Sequence, residues 1–313
     1  LKQFCIGSAQ IVGRQMSARA ASLARFLEKG AHDDPKHRDI VHAFTTCVLF
    51  HGLVLSAGVL TDAALDAGGP TALGSEFPPA PLSALFILGY WILLVGIRLW
   101  LEVGARVLVI YELVWSCSAS LLFAGIAILL RRPALLCASG ILVAIDQVLW
   151  YVDIAGYLAT GRMPLKVCGY LFWPSTAFAR RVTSLHHVFF EPLVIWLCTR
   201  GQDGVPLGRG FVISAVQTVV CQAVCRYMTP LEVSHAREKR GLYYMNINLC
   251  YESFRGVNVP CIGRYDRARP AVYLPWMLCI WNAGNLLLFL CLALTLLAPL
   301  QFFFGAPGAR LMY

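Results

Sequence analysis

Ionisable side chains interrupt two long apolar stretches of this sequence. The stretch Leu135–Leu158 contains Asp146 and Asp153, and the stretch Val182–Cys198 contains His186, His187 and Glu191. Insertion of such a group into hydrocarbon costs about 2.5–3.5 kcal/mol, so these groups are rare in membrane spans and often functional. We therefore treat these five residues, called the polar cluster below, as the candidate site.

The two aspartates are spaced as groups on one face of a helix. Asp146 and Asp153 are seven residues apart, which is about two helical turns and about 10 Å along the axis. Titratable groups at such intervals suit a path for protons or cations. The structural alternative is that each carboxylate pairs with an arginine or caps a helix end, and we favour that alternative.

The second stretch offers ligands for a metal or a haem, but too few. His187 and Glu191 are four residues apart and share a helix face, whereas a metal site usually needs three or four protein ligands. Further ligands would have to come from Asp146, Asp153, His42 or His51. We therefore predict no metal and no cofactor other than bound lipid, and we favour a buried, hydrogen-bonded cluster over a proton-handling, quinone, metal or haem site.

The composition is that of a polytopic membrane protein. The hydrophobic fraction is 58% and the charged fraction 14%, against about 45–50% and about 25% in soluble domains. The sequence predicts an all-α integral membrane bundle of about seven transmembrane helices with an N-terminal amphipathic surface helix. The predicted spans are Ile40–Leu60, Leu82–Ile97, Val107–Leu130, Leu135–Leu158, Val182–Cys198, Phe211–Tyr227 and Ala271–Leu297.

The distribution of basic residues predicts the orientation. When Arg226 is counted with the loop that follows it, alternating segments outside the spans hold 21 and 5 of the 26 Lys and Arg residues. Basic segments stay on the side from which a protein inserts. We expect the N-terminus on that side, which in a mitochondrial inner membrane is the matrix. The plastid thylakoid membrane is the alternative location.

The chain divides into one membrane domain and two flanking segments. Residues 1–39 form a basic segment with an apolar stripe, typical of organellar targeting sequences or of a helix on the membrane face. We expect a surface helix that remains after a presequence is cleaved. Residues 40–300 form the seven-span domain, with an ordered matrix-side loop at 228–270, and residues 301–313 form a short tail.

Basic residues beside interfacial aromatic residues indicate a lipid site. They flank the Gly-Tyr-Leu-Phe-Trp-Pro segment at 169–174 and are Arg162, Lys166, Arg180 and Arg181. Such groupings suit anionic head groups, and cardiolipin is the expected ligand in a mitochondrial inner membrane. The alternative is that these charges only set the topology.

Several short motifs follow one another in and after the two polar stretches. They are Asp146-Gln-Val-Leu-Trp-Tyr-Val-Asp153, Gly156–Arg162, Gly169–Phe172, Ser184–His187 with Pro192 and Trp196, Thr229–Glu232 and Asn246–Asn248. Together they resemble a family of uncharacterised bacterial membrane proteins of about six spans. The resemblance covers roughly residues 83–299 and implies a single membrane unit, here as an organellar version with an added N-terminus. It implies no activity.

Three hypotheses for function follow. Walker A, GxGxxG, HExxH and GxSxG motifs are absent from the sequence. We therefore favour a non-catalytic accessory subunit of a mitochondrial respiratory complex or ATP synthase, with other membrane subunits and phospholipids as partners and no nucleic acid. The alternatives are a proton-linked transporter or intramembrane enzyme that uses Asp146, Asp153, His187 and Glu191, and a haem- or pigment-binding protein that uses His51, His186 or His187.

Overall fold

A computed structural model describes most of the chain. The described residues are 39–67, 80–102, 105–172, 176–200, 204–234, 242–253, 262–266, 268–304 and 311–312. The predicted surface helix within residues 1–39 and most of the predicted tail 301–313 lie outside them.

The described residues are predominantly α-helical. The α-helices are α1 (Ile40–Ala67), α2 (Pro81–Leu101), α3 (Arg106–Glu112), α4 (Ser116–Leu129), α5 (Pro133–Ile141), α6 (Ala144–Thr160), α7 (Phe178–Thr183), α8 (His186–Thr199), α9 (Leu207–Met228) and α10 (Pro270–Phe304). Single-turn 3₁₀ helices span Gly169–Phe172, Ile247–Leu249 and Ile262–Tyr265. Two-residue and three-residue strands pair as β1 (Val205–Pro206) with β4 (Leu311–Met312), and as β2 (Glu232–Ser234) with β3 (Leu242–Tyr244).

Among the described residues, five helical segments are long and apolar enough to cross a membrane, and seven are if each of two bent helix pairs forms one span. The bent pairs are α3 with α4 and α5 with α6, and the α7–α8 segment is one of the five. All seven predicted spans fall on these segments. The all-α membrane architecture is therefore the one that the composition predicts.

Helices α4 and α5 form the centre of the bundle. Every residue of α5 from Ala134 to Ile141 is buried, and α5 packs against α4, α8 and α9. Helices α1, α2 and α10 are peripheral and expose large apolar side chains, including Phe44, Leu82, Trp100 and Leu287. Apolar outer faces on long helices suit contact with lipid.

Breaks interrupt three of the spanning segments. The first break (Leu113–Trp115) separates α3 from α4 with a bend of 59°, and the second (Leu142–Val143) separates α5 from α6 with a bend of 52°. The third (Ser184–Leu185) separates α7 from α8. Because helical hydrogen bonds are lost at a break, other groups must satisfy the freed backbone N–H and C=O groups away from water.

Carboxylates and guanidinium groups connect three helices at the end of the bundle where α1 finishes. Asp62 Oδ1 lies 2.8 Å from Arg209 Nη2, and Asp62 Oδ2 lies 3.4 Å from Arg132 Nη1. Asp66 contacts both arginines. The two aspartates lie in the last turns of α1, Arg132 precedes α5, and Arg209 lies in the first turn of α9. This ion-pair network ties α1 to the central helix.

Candidate functional site

An asparagine from the long loop forms hydrogen bonds with the backbone groups that are freed at the first break. Asn248 Oδ1 accepts a hydrogen bond from the Ser116 N–H at 2.7 Å, and its Nδ2 donates to the Val114 carbonyl at 2.9 Å. The asparagine is buried and adopts a positive φ of 52°, a conformation that asparagine tolerates better than most residues. The loop predicted at 228–270 thus inserts a side chain into the bundle.

A second asparagine forms hydrogen bonds with the backbone groups that are freed at the second break. Asn285 of α10 accepts from the Ile145 N–H at 2.8 Å and donates to the Leu142 carbonyl at 3.1 Å. Its side chain is fully buried. Asn285 therefore joins α10 to the second break by hydrogen bonds, as amides in membrane helices commonly do.

A glutamine holds the residues that follow the third break. Gln147 Nε2 donates to the His187 carbonyl, and Gln147 Oε1 lies 3.1 Å from His187 Nδ1. Since Oε1 can only accept, His187 carries its proton on Nδ1. Trp150 stacks on the same ring at a centroid distance of 5.5 Å and an interplanar angle of 22°. The orientation and the tautomer of His187 are both fixed.

A buried ion triad supports the helix before this break. Glu112 lies 3.2 Å from Arg98 Nη1 through Oε2 and 2.7 Å from Arg180 Nη2 through Oε1. Arg98 Nε also donates to Thr183 Oγ1 at 2.7 Å. Only 3% of the Glu112 side chain and 6% of the Arg98 side chain are exposed. The triad therefore joins α2, α3 and α7. Its two guanidinium groups and one carboxylate leave one excess positive charge.

Asp153 supports a loop and stands apart from the other members of the polar cluster. Its Oδ1 accepts from the Leu165 and Lys166 N–H groups at 2.7 and 3.0 Å, and its Oδ2 accepts from the Cys168 N–H at 2.9 Å. Burial and the neighbouring Asp153 charge raise the pKa of the Cys168 thiol to about 12. Both oxygens of Asp153 are engaged by backbone, so its contacts are structural, but they are to loop amides and not to the arginine or helix end that the structural alternative expects.

Asp153→Asn is expected to loosen this loop. The amide nitrogen of asparagine cannot accept, so at least one charge-assisted bond, worth about 1.5–3 kcal/mol, is lost. Hydrogen exchange measured by mass spectrometry should become faster at Leu165, Lys166 and Cys168. Asp266→Asn is the matched control, because Asp266 accepts from Ser253 and should affect that segment instead. Unchanged exchange at 165–168 in the Asp153 variant would contradict this assignment.

The two histidines of the polar cluster lie close to Cys117, whose position in the sequence does not indicate a functional role. One ligand atom from each of Cys117, His186 and His187 lies within 4.8 Å of the other two. The imidazole rings have centroids 4.1 Å apart. Cys117 lies in the first turn of α4, directly after the first break. The first and third breaks therefore bring this group together.

Asp146 and Glu191 face different sides of this group. Asp146 interacts electrostatically with the Cys117 thiol. Glu191 instead points at α5, since a Cβ on Gly140 would lie 3.0 Å from its Oε2. Neither Glu191 oxygen has a hydrogen-bond partner among the described residues. His187 and Glu191 share a helix face, as their spacing predicts, but His187 bonds to Gln147 whereas Glu191 packs against α5.

The remaining histidines proposed as ligands lie elsewhere. His42 Nδ1 lies 3.1 Å from the Tyr111 hydroxyl, and His51 Nδ1 lies 2.8 Å from the Cys47 carbonyl. Each belongs to α1 and contacts its own surroundings. Neither is part of the cysteine–histidine group.

The four basic residues of the predicted lipid site fall into two sets. Arg162, Lys166 and Arg181 are exposed, whereas Arg180 pairs with Glu112 and lies over the Tyr170 ring at 5.0 Å. Burial raises the pKa of Tyr170 to about 12, so its neutral hydroxyl donates to Ser184 Oγ at 3.0 Å. Arg180 therefore has a structural role, and three basic side chains face outward.

Comparisons with protein families, with curated proteins and with solved structures find no match to this chain. The resemblance to a bacterial membrane family stays a prediction.

Proposed function

We propose that this chain is a non-catalytic accessory subunit that supports the assembly of a mitochondrial oxidative-phosphorylation complex. One observation supports a structural role: several buried polar side chains form hydrogen bonds with main-chain groups. Asn248, Asn285 and Gln147 each bind backbone groups at or beside a break, and Asp153 binds three loop amides. Side chains engaged in this way hold helices in place.

The choice of membrane rests on the sequence. The basic, amphipathic composition of residues 1–27 is typical of mitochondrial proteins, and the excess of basic residues in alternating segments favours a matrix-side N-terminus. The small extramembrane mass suits a subunit whose contacts lie within the bilayer. Other subunits of the complex would pack against the apolar outer faces of α1, α2 and α10.

Bound lipid is the second part of the proposal. Arg162, Lys166 and Arg181 are exposed, and so are the aromatic residues Tyr157 and Phe172 of the same part of the sequence. Cardiolipin has two phosphates, and a group of guanidinium and ammonium side chains beside interfacial rings suits it. Such a lipid would fill the boundary between this chain and its neighbour.

Native gels of gently solubilised mitochondria, read by mass spectrometry, test the proposal. The chain should migrate with one respiratory complex or with ATP synthase, and lipid analysis of that band should find cardiolipin. Depleting the chain should lower the amount of assembled complex while leaving the turnover of each remaining complex unchanged. Migration only as a free monomer would contradict the proposal, as would a loss of turnover without a loss of assembly.

A further inference from the structure

We propose that Cys117, His186 and His187 bind a thiophilic transition-metal ion of the Zn²⁺ type, through one thiolate and two imidazole nitrogens. One ligand atom of each residue lies within 4.8 Å of the other two. Zn–S bonds are about 2.3 Å and Zn–N bonds about 2.0–2.1 Å, so the three ligand atoms move closer together when they share one ion. This site goes beyond the proposed function, which requires no ion.

Both histidines already have the tautomer that a metal ligand needs. His186 Nδ1 lies 2.7 Å from the Thr183 carbonyl, which can only accept, so Nδ1 carries the proton. His187 Nδ1 donates to Gln147 Oε1 in the same way. In metal sites, a ligating histidine usually donates its other N–H to a carbonyl or carboxylate. The Nε2 lone pair of each ring is therefore the one left for an ion.

The His186 ring supplies an independent sign that a ligand is expected. Its residue is only 3% exposed, and its Nε2 atom has no hydrogen-bond partner among the described residues. A buried polar atom without a partner costs about 1–3 kcal/mol. A metal ion bound to Nε2 would remove that cost.

Neighbouring contacts hold the ligands in place before an ion arrives. Trp150 stacks on the His187 ring, and Arg98 donates to the Thr183 hydroxyl, which fixes the turn whose carbonyl binds His186. The residue Cys117 is itself only partly buried. Ligands that are held by neighbouring contacts lose less conformational freedom when an ion binds.

The chemistry of the donors selects the ion. One thiolate with two imidazoles suits Zn²⁺ and related borderline or soft ions, and does not suit Mg²⁺ or Ca²⁺, which prefer oxygen ligands. The Cys117 thiol loses its proton to solvent as its sulfur binds the ion. Asp146 interacts electrostatically with Cys117 and therefore lies near the thiol. Three protein ligands leave a fourth position for water or another small ligand.

Cobalt binding by the full chain in lipid nanodiscs tests this site. After chelation, Co²⁺ is expected to bind at one ion per chain with a thiolate-to-cobalt charge-transfer band, and Zn²⁺ should displace it. Cys117→Ser should remove the band. Gln147→Ala should weaken Zn²⁺ binding by about 10–100-fold, as loss of an outer partner does in other metal sites. Cys221→Ser and His42→Gln are matched controls that should leave affinity and band unchanged.

A measurement on the unaltered chain covers the case in which a variant does not fold. Zn²⁺ should slow alkylation of Cys117 by N-ethylmaleimide in detergent, and should leave the exposed Cys279 as reactive as before. The proposal is overturned if no thiolate band forms, if the band survives Cys117→Ser, or if Cys117 is alkylated equally fast with and without Zn²⁺.

Discussion

Glu112→Gln is expected to lower the free energy of unfolding by about 3–5 kcal/mol. Removing one partner of a buried ion pair leaves an uncompensated charge, and the measured cost of such changes lies in this range. Here two guanidinium groups, those of Arg98 and Arg180, lose the carboxylate that they share. Unfolding of the purified chain in mixed detergent micelles, with increasing fractions of a denaturing detergent, measures the change.

Two further variants make this prediction specific. Glu232→Gln changes an exposed glutamate and should shift the unfolding free energy by no more than about 0.5 kcal/mol. Replacing Arg98, Glu112 and Arg180 together by methionine or leucine should cost less than Glu112→Gln alone, because an apolar triad carries no unpaired charge. If the triple variant is the less stable one, the stability of the triad has another source.

The buried ion triad also shows where the spacing of charges along the sequence predicts the wrong partners. Arg98, Glu102 and Arg106 are four residues apart in series, a pattern that favours a ladder of ion pairs along one helix. In the structure, helix α2 ends at Leu101, so Arg98 and Arg106 belong to different helices. Arg98 reaches Glu112 and Thr183 instead. A pattern of charges predicts partners only where the helix continues.

The positions of the spans could be predicted because hydropathy alone decides them. Helices α1, α2 and α10 expose apolar outer faces, so a long apolar run is enough to specify each. The predicted span Phe211–Tyr227 lies within α9, and the predicted span Leu82–Ile97 lies within α2. The predicted spans are shorter than the helices because hydropathy does not include the protein contacts that bury charged residues such as Arg98.

The breaks could not be predicted because their stabilising partners lie far away in the sequence. The first break runs through Leu113, Val114 and Trp115, which include neither glycine nor proline. Its backbone groups are satisfied by Asn248, more than 130 residues later. Tertiary contacts of this kind override helix propensity. A local pattern can place an apolar segment but cannot locate an interruption within it.

The same reason explains the incomplete view of the candidate site. His186 and His187 stand out in the sequence because ionisable residues are rare in a long apolar run. Cys117 was one of twelve cysteines, most of them in apolar runs, and its spacing gives no indication of a histidine partner. It joins His186 and His187 only because two breaks bring the starts of α4 and α8 together. Asp153 has structural contacts, but they are to loop amides 12 to 15 residues later, which the expected arginine pair or helix cap does not include.

Asn285→Leu tests whether a single amide holds the second break, and its expected effect is comparable with that of Glu112→Gln. Leucine has nearly the same shape but leaves the Ile145 N–H and the Leu142 carbonyl without their partner. Each buried group that loses its partner costs about 1–3 kcal/mol, so the unfolding free energy should fall by about 2–6 kcal/mol. The same micelle titration measures it.

The position of the substitution on α10 provides the matched control. Asn282 lies three residues earlier on the same helix and is only half-buried, so Asn282→Leu should change stability by no more than about 0.5 kcal/mol. Asn285→Asp gives an intermediate case, since it retains an acceptor for Ile145 but puts a carboxylate oxygen against the Leu142 carbonyl. Equal stabilities of the Asn282 and Asn285 leucine variants would contradict the role of Asn285.

The Asn285 variant also tests whether the second break positions the proposed metal site. The second break lies between α5 and α6, and Gln147 follows it closely on α6. If the break straightens when the amide is lost, Gln147 moves away from His187 and that ring loses its fixed tautomer. Asn285→Leu should then weaken Zn²⁺ binding even though Asn285 is not a ligand, whereas Asn282→Leu should not. Unaltered Zn²⁺ affinity in a destabilised Asn285→Leu variant would show that the break and the histidines are independent.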